Sequence, residues 1–171
     1  MALRRILTSE DETLHKVCRP VTEFGDRTAQ LLDDLRETLT DAKGAGLAAP
    51  QVGIRRRAAV IVRGDEMVDL LNPEITARSD EMVGLYEACL SCPGIRGFLE
   101  RPRVVTVHAQ DRSGAWFDLE CEDIAARAAC HELDHLDGIL FTELADEVVT
   151  EEEFEEEFSE EYGLNGDEED L

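Results

Sequence analysis

The sequence predicts an α+β fold in which antiparallel or mixed β-sheets pack around a central helix that carries a metal-binding motif. Apolar residues recur at helical spacing in two segments, residues 26–43 and 124–140. Between these segments, short β-rich runs are separated by turn residues such as Gly64-Asp65, which is typical of strands joined by hairpins. Because the strands are not interleaved with helices, this order favours α+β over alternating βαβ units.

The elements follow in order along the chain. The first helix is predicted over residues 26–43, with its apolar residues on one face, and it ends at Gly44. Asp123 is predicted as the N-cap of the helix that carries the metal-binding motif. Five strands are predicted between the two helices, over residues 58–63, 67–71, 82–86, 104–110 and 116–121.

Length and composition bound the class of protein. With 171 residues, of which 43% are hydrophobic and 33% charged, the chain is long enough for one domain with its own core. No apolar run approaches the ~20 residues that a membrane span needs. The N-terminus also lacks a secretory signal, so we expect a cytoplasmic protein that does not enter the membrane. Five cysteines, an odd number, favour free thiols or metal ligation over disulfides.

The net charge of −23 is distributed unevenly. Residues 146–171 contain fourteen acids and no Lys or Arg, whereas residues 1–145 contain 26 acids and 17 bases, a net charge of −9. We therefore divide the chain into a folded body, 1–145, and an acidic C-terminal tail or marginal helix, 146–171. In the tail, Phe154, Phe158 and Tyr162 recur at four-residue steps, which fits a docked helix and a solvated segment equally well. Neither part offers the basic surface that binding to DNA requires.

His131 and His135 lie four residues apart in the apolar helix and therefore project on the same side. Together with Glu132 they form the H-E-x-x-H pattern, in which two imidazoles bind a metal ion and the carboxylate acts as a base toward a polarised water molecule. The pattern also fits a solvated surface helix. The apolar surroundings favour a site, however, because buried polar groups need partners. Asp134 or Asp137 would then accept a hydrogen bond from an imidazole N–H.

Cys89 and Cys92 form a C-x-x-C pair that supplies sulfur. Taken alone, the pair fits a redox dithiol, half of a structural zinc site or coincidence. A proline and a glycine follow it at once, which disfavours the helix-opening redox motif. A closed, non-catalytic zinc module would use both cysteines together with His131 and His135, but it would leave Glu132 idle. An open site of Cys89, His131 and His135 keeps one position for water, as catalytic metals do.

Three segments resemble, in order and spacing, the three motifs of peptide deformylase: GAGLAAPQ from Gly44 to Gln51, EACLS from Glu87 to Ser91, and HELDH from His131 to His135. The likeness covers nearly the whole body and identifies residues 1–145 as a catalytic domain. The resemblance implies a hydrolase that removes the formyl group from N-formylmethionine on new bacterial polypeptides. It also implies an α+β fold with one divalent metal ion on the central helix. That ion is usually iron(II), with zinc or nickel able to substitute.

The resemblance further implies roles for individual residues. The metal ligands are Cys89, His131 and His135, and the general acid–base is Glu132. The donors to the developing oxyanion are Gln51 and the backbone N–H of Leu90. The remaining roles are substrate contacts by Gly46, Ala45 and Arg96, and a supporting salt bridge between Glu87 and Arg101.

Three residues depart from the family pattern. Ala88 stands where the family usually has glycine, and its Cβ would shift the Leu90 N–H if that position required a positive φ. Cys130 replaces the usual glutamine before the first histidine, and Cys92 replaces a small aliphatic residue. Because the ligands and the acid–base are intact, we expect these changes to affect rate and specificity more than reaction class.

The expected partners are N-formylmethionyl nascent peptides, which bring the protein transiently near the ribosome. Ribosomal RNA repels a segment with fourteen acids and no bases, so we expect no docking through residues 146–171. A metalloprotease is a further interpretation of the histidine motif. The sulfur ligand and the segment from Gly44 to Gln51 disfavour it.

Overall fold

Two antiparallel β-sheets surround a central helix in the computed structural model, which describes residues 2–158. The helices are α1 (Asp26–Ala42), α2 (Ile124–Leu136), α3 (Phe141–Leu144) and α4 (Glu151–Phe158), with 3-10 helices at Glu12–His15 and Ala49–Val52. The strands are β1 (Gly46–Ala48), β2 (Ala58–Arg63), β3 (Glu66–Arg78), β4 (Met82–Cys89), β5 (Cys92–Pro102), β6 (Val104–Gln110), β7 (Trp116–Glu122) and β8 (Glu147–Thr150). The larger sheet has the order β1-β2-β3-β6-β7, and the smaller one has the order β4-β5-β8. The predicted α+β class is confirmed.

The larger sheet is covered by α1 on one face and by α2 on the other. In β2, Val60 packs in one core with the leucines of α1, whereas the adjacent Ile61 packs in another core with the alanines of α2. This alternation follows from the two-residue period of a strand. Ala126 and Ala129 of α2 are fully buried, and such small side chains allow the helix to lie close to the sheet. The other side of α2, with His131 and His135, faces the smaller sheet.

Helix α2 begins after Asp123, at the predicted position. Asp123 makes no side-chain capping hydrogen bond, however, and its φ of 53° marks a left-handed backbone. After the helix ends, Gly138 adopts a φ of 74°, and a Cβ there would lie 2.7 Å from the backbone carbonyl carbon of His15. A glycine is therefore required at this position. Within residues 2–158, no helix is long and apolar enough to cross a membrane.

The smaller sheet brings the predicted sulfur ligand to α2. Strands β4 and β5 form a hairpin in which Cys89 pairs with Cys92, so that Leu90-Ser91 forms the two-residue turn. Both cysteines are buried in a core that also contains Phe141 of α3. The hairpin therefore ends against the helix that carries the histidines.

The first part of the predicted tail packs on the body. Residues 147–150 form β8, which pairs with residues 95–98 of β5, and Phe154 in α4 is fully buried. The proposed division after residue 145 thus falls immediately before a strand of the smaller sheet. The tail was interpreted either as a docked helix or as a solvated segment, and residues 151–158 form a helix that is docked on the body. Tyr162 and the rest of the tail lie outside the described residues.

The strand predictions succeeded for β-rich runs that turn residues delimit, and other strands were not predicted. β2 and β6 have the predicted bounds, whereas β1, β5 and β8 were missed. β5 contains two prolines and two glycines, and it forms because β4 and β8 pair with it on both sides. β3 runs on through Pro73 at a bulge, where Asn72 has a φ of 49°. The left-handed residue after α1 is Lys43, one position before the predicted stop at Gly44.

Candidate metal centre

Cys89, His131 and His135 bring three ligand atoms together between the hairpin and α2. The Cys89 Sγ lies 3.4 Å from His135 Nε2, which lies 3.2 Å from His131 Nε2. All three ligand atoms lie within 4.8 Å of one another. Two nitrogen ligands bound to one tetrahedral ion at ~2.1 Å would stand ~3.4 Å apart. The geometry therefore fits a divalent metal ion.

His131 is oriented by Glu87, whose Oε1 lies 2.9 Å from His131 Nδ1. This contact directs the lone pair of Nε2 toward the other ligands. We predicted Asp134 or Asp137 as the acceptor, and that prediction was wrong for His131. Asp134 accepts a hydrogen bond from Arg101 at 2.7 Å, and Asp137 accepts one from Arg57 at 3.0 Å.

Glu87 is a buried carboxylate held by two guanidinium groups. Arg101 donates to both of its oxygens, at 2.8 and 3.0 Å, and Arg127 donates to Oε2 at 2.6 Å. Burial opposes ionisation, but the hydrogen bonds from His131 and Arg101 outweigh it and lower the pKa of Glu87 to about 2. Arg127 was not predicted, although its position one helical turn before His131 is a signal that could have found it.

Glu132 is 3% exposed and lies against β1. Its Oε1 has no hydrogen-bond partner among residues 2–158, and burial raises the pKa of Glu132 to about 7. A Cβ on Gly46 would lie 2.5 Å from Glu132 Oε2, so only glycine allows β1 to pass this close to the carboxylate. The carboxylate is thus buried beside the three ligands, with one oxygen available to a bound molecule.

Gln51 lies beside Cys89 and is fixed by two hydrogen bonds. Its Oε1 accepts from the Ala48 N–H at 2.9 Å, and its Nε2 donates to Ser91 Oγ at 3.1 Å. The same Nε2 lies 3.8 Å from Cys89 Sγ. Leu90 lies in the β4–β5 turn between Cys89 and Ser91, so its backbone is adjacent to the two residues that the Gln51 amide contacts. Ser91 was not predicted, although it belongs to the EACLS segment.

The surroundings of the Cys89 thiol disfavour its ionised form. A hydrogen bond with Cys92 and burial both raise the pKa of Cys89. Burial also lowers the pKa of the neighbouring His135 well below the usual range, which disfavours its cationic form. Among the described residues, the cluster of ligand atoms does not include Cys92. The closed four-ligand zinc module is therefore not supported.

A cavity of about 590 Å³ opens beside the three ligands. Its lining includes Gln51, Cys89 and Glu132, and its apolar lining includes Leu85, Ile124 and Ala128. Ala45 and Gly46 line it at the start of β1, and Arg96 and Glu151 line it from the smaller sheet and α4.

Arg96, predicted as a substrate contact, lines this cavity, but two of its nitrogens are already engaged. Nε and Nη2 donate to the Glu151 carboxylate at 2.8 to 3.1 Å, and the guanidinium carbon lies 4.2 Å from the centre of the Phe154 ring. The contact with Glu151 was not predicted. The two residues are 55 positions apart, and no local pattern relates them.

The departures at Ala88 and Cys130 leave the ligands undisturbed. Ala88 is exposed and is not among the described non-glycine residues with positive φ, so its Cβ does not strain the backbone before Leu90. Cys130 is buried in the core between α2 and the larger sheet, and it lines a separate cavity of about 300 Å³. It therefore lies away from the three ligands.

Comparisons with known proteins agree with this arrangement. Residues 3–151 match the sequence profile of the polypeptide deformylase family. A peptide deformylase of Caldicellulosiruptor bescii is 52% identical over 153 residues, which are 90% of this chain and 92% of that protein. The crystal structure of peptide deformylase from Thermotoga maritima superimposes with a TM-score of 0.83 at 36% identity, covering 86% of this chain and 100% of that one. A structure of a class I type b peptide deformylase from Acinetobacter baumannii, bound to Met-Ala-Ser, has a TM-score of 0.79 at 32% identity over 84% and 99% of the two chains. The chain belongs to the polypeptide deformylase family.

Proposed function

We propose that Cys89, His131 and His135 hold one divalent metal ion and that the surrounding residues carry out the family's reaction at this position. As a member of this family, the chain is a hydrolase that removes the formyl group from the N-terminal formylmethionine of newly made polypeptides. The observation that carries the proposal is the separation of 3.2 to 3.4 Å between neighbouring ligand atoms. Iron(II) is the proposed native metal, with zinc or nickel as substitutes, because a donor set of imidazole and thiolate suits all three.

Glu132 is the proposed general acid–base. The bound ion would supply Lewis acidity that lowers the pKa of water toward neutrality. Glu132 removes a proton from the attacking water and delivers it to the amide nitrogen as the C–N bond breaks, so that formate and a free amino terminus leave. Its burial and its partnerless Oε1 support this role.

Gln51 and the Leu90 N–H are the proposed donors to the oxyanion that develops on the formyl group. Such a donor contributes ~3 kcal/mol to transition-state stabilisation in other hydrolases, provided that it is already oriented. The two hydrogen bonds of the Gln51 amide supply that orientation. The Glu87–Arg101 salt bridge supports the site in turn, because Glu87 orients His131.

The cavity is the proposed site of the peptide. The wall of Leu85, Ile124 and Ala128 would hold the methionine side chain, since apolar surface favours a thioether. β1 ends the larger sheet and pairs with β2 on one side. The Ala45 carbonyl accepts a hydrogen bond from the Val62 N–H of β2, so Gly46, the next residue, would offer its backbone groups to an extended peptide along the other side, with Ala45 beside it. Arg96 would contact the chain beyond the methionine.

The proposed cellular setting follows from this substrate. Formylated nascent peptides emerge in the cytoplasm, which is where we place the protein, and the reaction brings it transiently near ribosomes. A direct test is release of formate from formyl-Met-Ala by anaerobically purified protein, with metal content measured on the same sample. About one metal ion per chain and steady formate release are the expected results. A folded, iron-loaded protein that releases no formate would contradict the proposal.

Replacing Cys89 by alanine is expected to weaken metal binding by at least ~100-fold, because loss of a ligand should cost more than loss of a supporting group, which costs 10–100-fold. Cys92→Ala is the matched control, since Cys92 lies directly opposite Cys89 in the hairpin and is also buried. Cobalt(II) titration, followed by thiolate absorption, measures both variants. Absorption from two thiolates in the wild type, or loss of metal binding in Cys92→Ala, would support the alternative of a closed zinc module in which both cysteines are ligands.

Removing residues 159–171 is expected to leave association with ribosomes unchanged, because the segment contains six acids and no bases. The cut is placed after Phe158, since an earlier one would remove the buried Val149 and Phe154. Cosedimentation with ribosomes at low salt compares the full and shortened chains. Weaker binding by the shortened chain would show that the tail contributes.

A further inference from the structure

We propose that Glu151 is a specificity-determining residue that removes any preference for acidic side chains in the part of the peptide beyond formylmethionine. It does so by pairing with Arg96 at the wall of the cavity, as the three hydrogen bonds between the two side chains show. The inference rests on the proposed function, because it concerns the peptide that the cavity would hold.

The position of Glu151 is set by the smaller sheet. Val149 in β8 pairs with Arg96 in β5. Glu151 lies only two residues after Val149, so the strand pairing brings it close to Arg96. Phe154, one turn further along α4, is fully buried and lies against the Arg96 guanidinium and the Tyr86 ring. The strand pairing and the buried ring together hold the carboxylate at the cavity.

The ion pair determines what Arg96 presents to a peptide. A guanidinium binds a carboxylate best through two parallel hydrogen bonds, and Glu151 already occupies Nε and Nη2 in this way. Nη1 lies outside the pair and keeps its two N–H groups, but the negative charge of Glu151 beside it favours a neutral carbonyl oxygen over a second carboxylate. Without Glu151, the same guanidinium would offer its fork and its full positive charge to an aspartate or glutamate of the substrate.

The side-chain exposures support an effect on the substrate rather than on the fold alone. Glu151 is 38% exposed whereas Arg96 is 10% exposed, so the carboxylate is the more accessible member of the pair. Both line the cavity that also contains Glu132 and Cys89. Lys43 lines the cavity as well, but its charge is the same in all the variants compared below and cancels in the comparison.

A purely structural role for Glu151 predicts a different result. If the ion pair only fastened α4 to β5, its loss would lower thermal stability and reduce the activity toward all peptides by the same factor. A specificity role changes the ratio of activities between acidic and basic peptides, and it does so mainly through KM. The ratio therefore separates the two roles.

The experiment measures formate release from formyl-Met-Asp-Ala, formyl-Met-Lys-Ala and formyl-Met-Ala-Ala, and from the corresponding peptides with the charge at the third residue. All of them carry an amidated C-terminus, so that no terminal carboxylate reaches Arg96. The proteins are wild type, Glu151→Gln and Glu151→Asp, with Glu152→Gln as the matched control because Glu152 is exposed on the same turn of α4. Glu151→Ala is a second neutral variant in case the first does not fold.

For at least one charged position, Glu151→Gln is expected to raise the acidic-to-basic ratio of kcat/KM by ~3- to 10-fold, the effect of one unit charge ~7 Å away in a largely aqueous setting. The change should shrink in ~1 M salt. Glu151→Asp and Glu152→Gln should keep the wild-type ratio within about twofold. An unchanged ratio in both neutral variants would overturn the inference while leaving the proposed function intact. A wild type that does not hydrolyse even formyl-Met-Ala-Ala would overturn both.

Discussion

Replacing Glu132 by glutamine is expected to lower kcat for formate release by ~10³-fold, because general acid–base groups contribute 10²–10⁴-fold. Glutamine keeps the size of the side chain but cannot take a proton from water or return it to the amine. The carboxylate is buried, and its Oε1 has no hydrogen-bond partner among residues 2–158. Within those residues, Oε1 is therefore not engaged in a structural hydrogen bond. Formate release at saturating formyl-Met-Ala measures the effect.

Metal content and thermal unfolding of the same Glu132→Gln protein serve as controls. The three ligand atoms belong to other residues, so the variant should bind metal as the wild type does. A variant that retains more than a tenth of the wild-type kcat with full metal content would show that another group moves the proton. Loss of the metal would show instead that Glu132 has a role in holding the centre.

Replacing Gly46 by alanine is expected to lower kcat by ~100-fold and to reduce the free energy of unfolding by ~1–3 kcal/mol, the usual cost of an overpacked site. The new Cβ would lie 2.5 Å from Glu132 Oε2 and 2.9 Å from its Cγ and Cδ. Because Glu132 is only 3% exposed, its side chain can move only within the cavity that it lines, away from its present position beside the ligands. Either β1 or the carboxylate must shift, and the proton transfer then loses its geometry.

Gly25→Ala is the matched control for Gly46→Ala, since a Cβ at residue 25 meets no atom within 4 Å. Formate release and denaturant unfolding are measured on both variants. A Gly46→Ala protein with wild-type kcat would mean that the approach of β1 to Glu132 is not needed for the reaction. A loss in Gly25→Ala of the same size would mean that the effect is not specific to the site.

Features that repeat along the chain could be predicted from the sequence. The four-residue spacing of His131 and His135 places both imidazoles on one side of α2, whatever surrounds the helix. Short β-rich runs bounded by turn residues likewise predicted β2 and β6 with their observed bounds. Together with the motif that contains Cys89, these local periodicities were sufficient to predict the fold class and the three ligand atoms that the structure brings together.

Contacts between distant segments were decided by the tertiary structure alone. Glu87, rather than an aspartate of α2, accepts the hydrogen bond from His131, because the β4–β5 hairpin delivers its carboxylate to the helix. Glu151 reaches Arg96 only because β8 adds to the smaller sheet. Such contacts depend on strand register and on burial across many residues, and spacing along the chain does not encode them. The sequence by itself therefore determined the class of fold and the ligands on one helix, while tertiary packing decided how each ligand is oriented and what lines the cavity beside it.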